Sequence, residues 1–196
     1  MEAIQRIDPD IQFFGVGGER LESAGMKLLY RSQSLSVVGV TEVFLKLGTI
    51  LKALRGLKKS LDWERPDLVI LIDFPDFNLR VARMAHRRGI PIVYYIGPQV
   101  WAWRSKRIQL IARLVKKMIV LFPFEVPLYE AAGVDVEWVG HPLLDIVKPT
   151  LTKEKAFQQF GLDPNGRTVG LLPGSRIREV ERLLPPLLGS AYLLQK

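Results

Sequence analysis

Two carboxylates, Asp73 and Asp76, stand either side of Pro75 in the stretch Leu71-Ile72-Asp73-Phe74-Pro75-Asp76-Phe77-Asn78. The residues before them, Leu68-Val69-Ile70-Leu71-Ile72, are apolar at every position and follow a Pro-Asp turn, the pattern of a parallel strand covered on both faces. Asp73 then falls at the carboxyl end of that strand, the edge where open α/β sheets bind ligands. A structural role competes with this reading, because either carboxylate could cap the next helix and Asp76 is well placed before Phe77 and Asn78. One cap needs only one carboxylate.

Three further groups have types that can do chemistry. In Leu172-Pro173-Gly174-Ser175-Arg176 a backbone-exposing turn precedes Ile177-Arg178-Glu179. Free amides at Gly174 and Ser175 suit phosphate oxygens, and Arg176 can add paired contacts. The same pattern also serves as a plain turn and cap. Gly97-Pro98-Gln99-Val100-Trp101-Ala102-Trp103-Arg104 follows a strand and so shares the sheet edge with Asp73. Trp101 and Trp103 suit either a satellite core or a stacking platform for a sugar or base, and Arg104, Lys106 and Arg107 make the segment basic. His141, in Val139-Gly140-His141-Pro142, also follows a strand and can act as acid, base or donor, or as a satisfied structural side chain.

The elements that must position these groups alternate. A strand at 13–16, a helix at 42–61, strand 68–72, helix 78–88 closed by Gly89, strand 92–96, helix 105–116, strand 118–122, helix 125–132 ended by Gly133 and strand 136–139 form a βα series. Right-handed crossovers then predict a parallel sheet. A polar stretch after His141-Pro142 places a domain boundary near Lys148, giving domains 1–147 and 148–196, the second with helix 153–160, strand 168–172 and a helical region broken near Pro185-Pro186. Both ends read as cut. The chain opens in what reads as the end of a helix rather than a strand, and the second domain has too few elements to bury its own apolar faces.

The helix at 43–61 is amphipathic, with Val43, Phe44, Leu47, Ile50, Leu51, Leu54 and Leu57 on one face and Lys52, Arg55 and Lys59 largely opposite. Packing on the domain's own core explains such a face, and so does a membrane or lipid-tail surface. The chain of 196 residues carries a net charge of +8, which favours an anionic partner: nucleic acid, a phosphorylated ligand or an anionic lipid surface. It has no cysteine and two histidines, so a disulfide framework is excluded and a zinc site disfavoured. No apolar stretch is long enough to span a bilayer and no signal peptide opens the sequence, so any membrane contact is expected to be peripheral.

Taken together, Ile72-Asp73-Phe74-Pro75-Asp76-Phe77-Asn78, Pro98-Gln99-Val100-Trp101-Ala102-Trp103-Arg104, Phe122-Pro123-Phe124-Glu125, Val139-Gly140-His141-Pro142 and Leu172-Pro173-Gly174-Ser175-Arg176 resemble, in order and spacing, the lipid-A-disaccharide synthase family. Phe14-Gly15-Val16-Gly17-Gly18 and Val38-Gly39-Val40-Thr41-Glu42-Val43 extend the resemblance along essentially the whole chain. It implies an α/β, GT-B-type glycosyltransferase: a Rossmann-like parallel-sheet domain, incomplete at its N-terminus, followed by the first βα portion of a second Rossmann-like domain. Such enzymes invert the anomeric centre, use no metal or cofactor, and join UDP-2,3-diacylglucosamine to 2,3-diacylglucosamine 1-phosphate (lipid X).

On that resemblance Asp73 is the general base and Arg176 neutralises the departing UDP, with Asp76, Asn78, Trp101, Trp103, Arg104, His141, Gly174, Ser175 and Glu179 as substrate-binding positions. Val43, Phe44, Leu47, Ile50 and Leu51 correspond to a membrane-facing patch on the cytoplasmic side of the inner membrane, and a homodimer is a candidate assembly. The family's glycine-rich Gly-Glu-x-Ser-Gly-Asp loop and most of its donor-binding domain have no counterpart here, which puts the activity of the chain alone in doubt. Two other readings stand beside this one: another GT-B transferase acting on a lipid carrier, and a basic nucleic-acid-binding module. Against the latter, aromatics and bases are not interleaved along a strand face.

Overall fold

The computed structural model describes residues 1–35, 40–99 and 106–194, with the side chains of 40–46 and 106 left aside. Packing divides the chain into two compact units, Met1–Pro142 and Leu143–Lys196.

The first unit opens with helix α1 (Glu2–Ile7), strand β1 (Phe14–Gly17), helix α2 (Glu19–Ser23), strand β2 (Lys27–Arg31) and helix α3 (Ser32–Leu35). β1 and β2 pair in parallel as a sheet of their own. Helix α4 (Val40–Trp63) leads to strand β3 (Val69–Ile72), helix α5 (Pro75–His86), strand β4 (Ile92–Tyr95), helix α6 (Lys106–Leu114), strand β5 (Lys117–Val120), a 3₁₀ turn at Pro123–Glu125, helix α7 (Val126–Glu130) and strand β6 (Asp135–Trp138). The four later strands form one parallel sheet in the order β3-β4-β5-β6. The architecture is the expected Rossmann-like α/β arrangement.

Because neighbours in this sheet are also neighbours in sequence, right-handed crossovers carry α5, α6 and α7 to one face. Period-two alternation then sorts the side chains. Leu71, Tyr94 and Met118 are in register across β3, β4 and β5, and all three are buried in a core shared with Leu57 and Leu61 of α4, Phe77 and Val81 of α5 and Ile111 of α6. The opposite face carries Ile70 and Val93 in one row and Ile72, Tyr95 and Ile119 in the next. Ile70 and Ile72 are exposed there and the other three half-buried. This corrects the expectation that β3 is covered on both faces: every residue of the strand is apolar, but the described helices of this sheet lie on one side. The charged rim of the bare face is Lys117, 3.0 Å from Glu137 and 3.5 Å from Asp135, which together hold the ammonium group above its ordinary pKa, the Glu137 contact most of all.

The second unit contains helices α8 (Leu143–Ile146), α9 (Lys153–Phe160) and α10 (Ile177–Leu194). Thr152 caps α9 by accepting from the Lys155 amide at 3.4 Å, and Gly161 ends it in the left-handed region at φ 61°. Two expectations fail here. Residues 168–172 form no strand, since no described strand lies in this unit to receive their backbone hydrogen bonds. Helix α10 runs through Pro185 and Pro186 instead of breaking, because Val180, Leu184, Leu187 and Ala191 keep a half-buried stripe at helical period across them. No described residue of this unit is fully buried.

Candidate functional site

Asp73 lies just beyond β3, at the carboxyl edge of the four-stranded sheet, and its side chain is exposed. The backbone there is unusual. Asp73 (φ 46°) and Phe74 (φ 45°) are consecutive non-glycine residues in the left-handed region, each of which costs about 1–2 kcal/mol relative to a right-handed conformer. Asp enters this region more readily than Phe. The pair turns the chain off the strand while the Asp73 amide still donates to Tyr95 O at 3.2 Å. Phe74 becomes the N-cap of α5 and Pro75 its first residue, where a missing N–H costs nothing. The helix therefore has no side-chain cap at its N-terminus, and Asp76 sits in its first turn, where a carboxylate favours the helix dipole.

Three side chains frame this corner. The Asn78 amide donates to Asp73 O at 2.7 Å and to Ile72 O at 3.0 Å, so both of its N–H groups serve the backbone. The Tyr94 hydroxyl, from the buried row of β4, donates to Asp73 O at 2.9 Å. Burial, and next the Asp73 charge, push the Tyr94 phenol well above its ordinary pKa, which keeps it a donor. Arg107 of α6 pairs with the Asp76 carboxylate and is itself largely buried. Asp73, Asp76, Asn78 and Arg107 thus meet at the end of one strand.

Along the same edge β4 ends at Tyr95, and Ile96 after it, also left-handed at φ 57°, runs into Gly97. A Cβ at Gly97 would lie 1.8 Å from Met118 Cε and 3.1 Å from Tyr129 Oη, so any side chain at the mouth of the 97–104 segment must displace the Met118 methyl. Trp101, Trp103 and Arg104 lie outside the described residues. At the ends of β5 and β6, His141 sits against the Phe122 ring with centroids 6.0 Å apart, and Phe122 stacks on Phe124 at 5.5 Å. The turn beneath is fixed by Glu125, the one buried charged residue among those described, whose carboxylate accepts from the Phe122 amide at 3.1 Å. Trp138 Nε1–H donates to Leu121 O at 3.0 Å.

In the second unit the Pro173-Gly174-Ser175-Arg176 loop closes on Glu179. Ser175 and Arg176 amides each donate to Glu179 Oε2 at 3.3 Å, and the Arg176 guanidinium reaches Oε1 at 2.5 Å. These contacts, Arg176 foremost, hold the Glu179 carboxyl below the usual carboxylate range. Gly174 adopts φ 112°, and a Cβ there would stand 2.8 Å from Glu179 Oε2. The loop amides are thus oriented around an oxyanion, supplied here by the chain itself.

On α4 the apolar face divides. Ala53, Leu57 and Leu61 are buried and Ile50 and Leu54 partly so, whereas Leu47 (43% exposed) and Leu51 (37%) stand in solvent. The side chains of Val43 and Phe44 lie outside the described residues. Packing on the core therefore accounts for the C-terminal half of this face and not for Leu47 or Leu51. Among the described residues no helix is long and apolar enough to cross a membrane, and no three metal-ligating side chains converge.

The positions that sequence reasoning missed are Tyr94, which reads as plain core, and the pairing of Arg107. The signal for Tyr94 is its parity: a tyrosine on the buried face of a strand must find a partner for its hydroxyl.

The family model described as lipid-A-disaccharide synthetase matches residues 1–196. Among curated relatives, the lipid-A-disaccharide synthase of Geobacter metallireducens is 52% identical over 190 residues, covering 97% of this chain and 50% of the relative. That of Trichlorobacter lovleyi is 50% identical over 196 residues, covering 100% and 51%. That of Koribacter versatilis is 43% identical over 195 residues, covering 99% and 51%. The chain spans about half the length of the curated relatives it matches.

Proposed function

The chain belongs to the lipid-A-disaccharide synthetase family, and on that premise we propose that it takes part in transferring 2,3-diacylglucosamine from its UDP conjugate to 2,3-diacylglucosamine 1-phosphate. The observation that carries this reading is the exposed Asp73 carboxylate, set beyond the end of β3 by a left-handed turn of two residues. In the step itself the acceptor's 6-hydroxyl oxygen attacks the anomeric carbon and its proton passes to Asp73. The bond from that carbon to the UDP oxygen breaks with its electron pair, inverting the centre and releasing UDP. Arg176 and the Ser175 and Arg176 amides offset the charge on the leaving group, the UDP oxygens taking the place that Glu179 fills here. Arg107 and Asn78 support the acceptor side through Asp76 and the backbone of Asp73.

The acceptor and donor both carry acyl chains, and the exposed Leu47 and Leu51 support docking of α4 on the cytoplasmic face of the inner membrane. The test is Asp73→Asn in the full-length protein, assayed with both sugar substrates. Turnover is expected to fall about a hundredfold or more with KM little changed, since the base is lost and the shape kept. Near-normal turnover with a lowered melting temperature would make Asp73 a structural turn residue. Transfer only to an undecaprenyl-linked acceptor would instead favour a GT-B transferase acting on a lipid carrier.

A further inference from the structure

We propose that Tyr94 and Asn78 are positioning residues that clamp the Asp73 carbonyl and so hold the carboxylate of Asp73 in its working direction. The inference rests on the reaction proposed above for its kinetic readout, and on geometry for the rest.

Two successive non-glycine residues in the left-handed region do not persist without support from their surroundings, and such outliers gather where a side chain must be aimed. Phe74 is the expensive member of the pair, and its stacking on Phe77 at 5.3 Å is a packing contribution rather than a directional one. Direction comes from hydrogen bonds. Tyr94 Oη and Asn78 Nδ2 converge on one oxygen, Asp73 O, at 2.9 and 2.7 Å, and Asn78 also holds Ile72 O at 3.0 Å. With two donors fixed on its carbonyl, the peptide plane after Asp73 cannot rotate without losing both. Rotation of that plane is what a relaxed, right-handed Phe74 would require.

Both donors are themselves held. Tyr94 is fully buried on β4 in register with Leu71, and Asn78 sits on the first turns of α5, its own amide donating to Phe74 O at 3.0 Å. The clamp therefore ties the end of β3 to its neighbouring strand and to the helix that follows, while Asp73 itself stays exposed. Burial keeps the Tyr94 phenol protonated, so its hydroxyl stays a donor to Asp73 O.

The experiment uses Tyr94→Phe, which deletes one hydroxyl and keeps the buried ring, and Asn78→Ala as a second variant. Backbone φ at Asp73 and Phe74 is read from φ-dependent NMR couplings, and turnover is read in the full-length protein. Each variant is expected to move the couplings of both residues away from left-handed values and to lower kcat about tenfold, the worth of one hydrogen bond, with KM unchanged. Phe74→Gly placed in the Tyr94→Phe background should recover most of that loss, because glycine enters the left-handed region without support. A purely structural role for Tyr94 predicts no such recovery. Unchanged couplings in both variants, or a kcat loss that Phe74→Gly leaves in place, overturns the clamp. If the unaltered protein transfers no sugar, the proposed reaction fails, and the couplings alone then uphold or overturn the clamp.

Discussion

Replacing Gly97 with alanine adds a single methyl group just beyond β4, against buried side chains of the core. Gly97 does not adopt a left-handed φ, so the substitution carries no conformational penalty and even gains about 0.4–1 kcal/mol by restricting the unfolded chain. Against this stands the space. The new Cβ would lie 1.8 Å from Met118 Cε, 3.5 Å from its sulfur and 3.1 Å from the Tyr129 hydroxyl. Met118 is flexible, but it and Tyr129 are fully buried, and Tyr129 donates to Pro98 O at 3.4 Å, so the displaced methyl moves into occupied core. Overpacking of this kind costs about 1–3 kcal/mol, which leaves a net destabilisation of about 0–2.6 kcal/mol. Urea unfolding should show the midpoint lowered and the slope unchanged. The decisive measurement is a double-mutant cycle. Met118→Ala alone should cost about 2–5 kcal/mol through its cavity, yet that cavity sits where the Gly97→Ala methyl arrives. The double variant should therefore be more stable than the sum of the singles by about 1 kcal/mol or more. Additivity within about 0.5 kcal/mol would refute the steric account.

On α4, Leu47→Ser with Leu51→Ser should leave unfolding within about 0.5 kcal/mol per site, since both side chains are exposed, while co-sedimentation with anionic vesicles falls about tenfold or more. Equal vesicle binding with a collapsed unfolding midpoint would return this face to the core. At the Pro173-Gly174-Ser175-Arg176 loop, Glu179 has a folded pKa below its ordinary 4.5. Its stabilisation of the loop is therefore fully present above that ordinary value and lost as pH falls through the lowered folded one. Amide shifts of Ser175 and Arg176 should report this transition below pH 4.5, and Glu179→Gln should abolish it. A transition that survives Glu179→Gln would mean another group holds the loop.

The alternation of strands and helices was legible from 68 to 139 because each strand there is a short apolar run and each helix shows apolar period, with Gly89 (φ 69°) and Gly133 (φ 76°) marking two of the ends. β2 escaped notice because Lys27 and Arg31 bracket Leu28-Leu29-Tyr30 and its pairing with β1 is a tertiary fact. Residues 168–172 err the other way: their composition suits a strand, but a strand exists only where a ladder receives it. The same logic divides the site. Topology alone placed Asp73 at the carboxyl edge of the sheet, since any strand of a parallel sheet delivers its end there. Nothing local in Asp73-Phe74 favours two left-handed residues in succession, and the donors that hold them come from β4 and from Asn78 on the following helix.

The bare side of the sheet has a consequence for the life of the polypeptide in a cell. β3 has a single partner, β4, among the described residues, so Val69-Ile70-Leu71-Ile72 offers an unpaired backbone edge together with exposed isoleucines. Such an uncharged, proline-free segment is the kind that recruits a second copy into an intermolecular ladder and leads to aggregates. Gatekeeping falls to the charges that bracket it, Asp67 on one side and Asp73 on the other. Asp73 is thus a charge that interrupts the apolar run where the strand ends, and its removal should raise the tendency of this segment to self-associate.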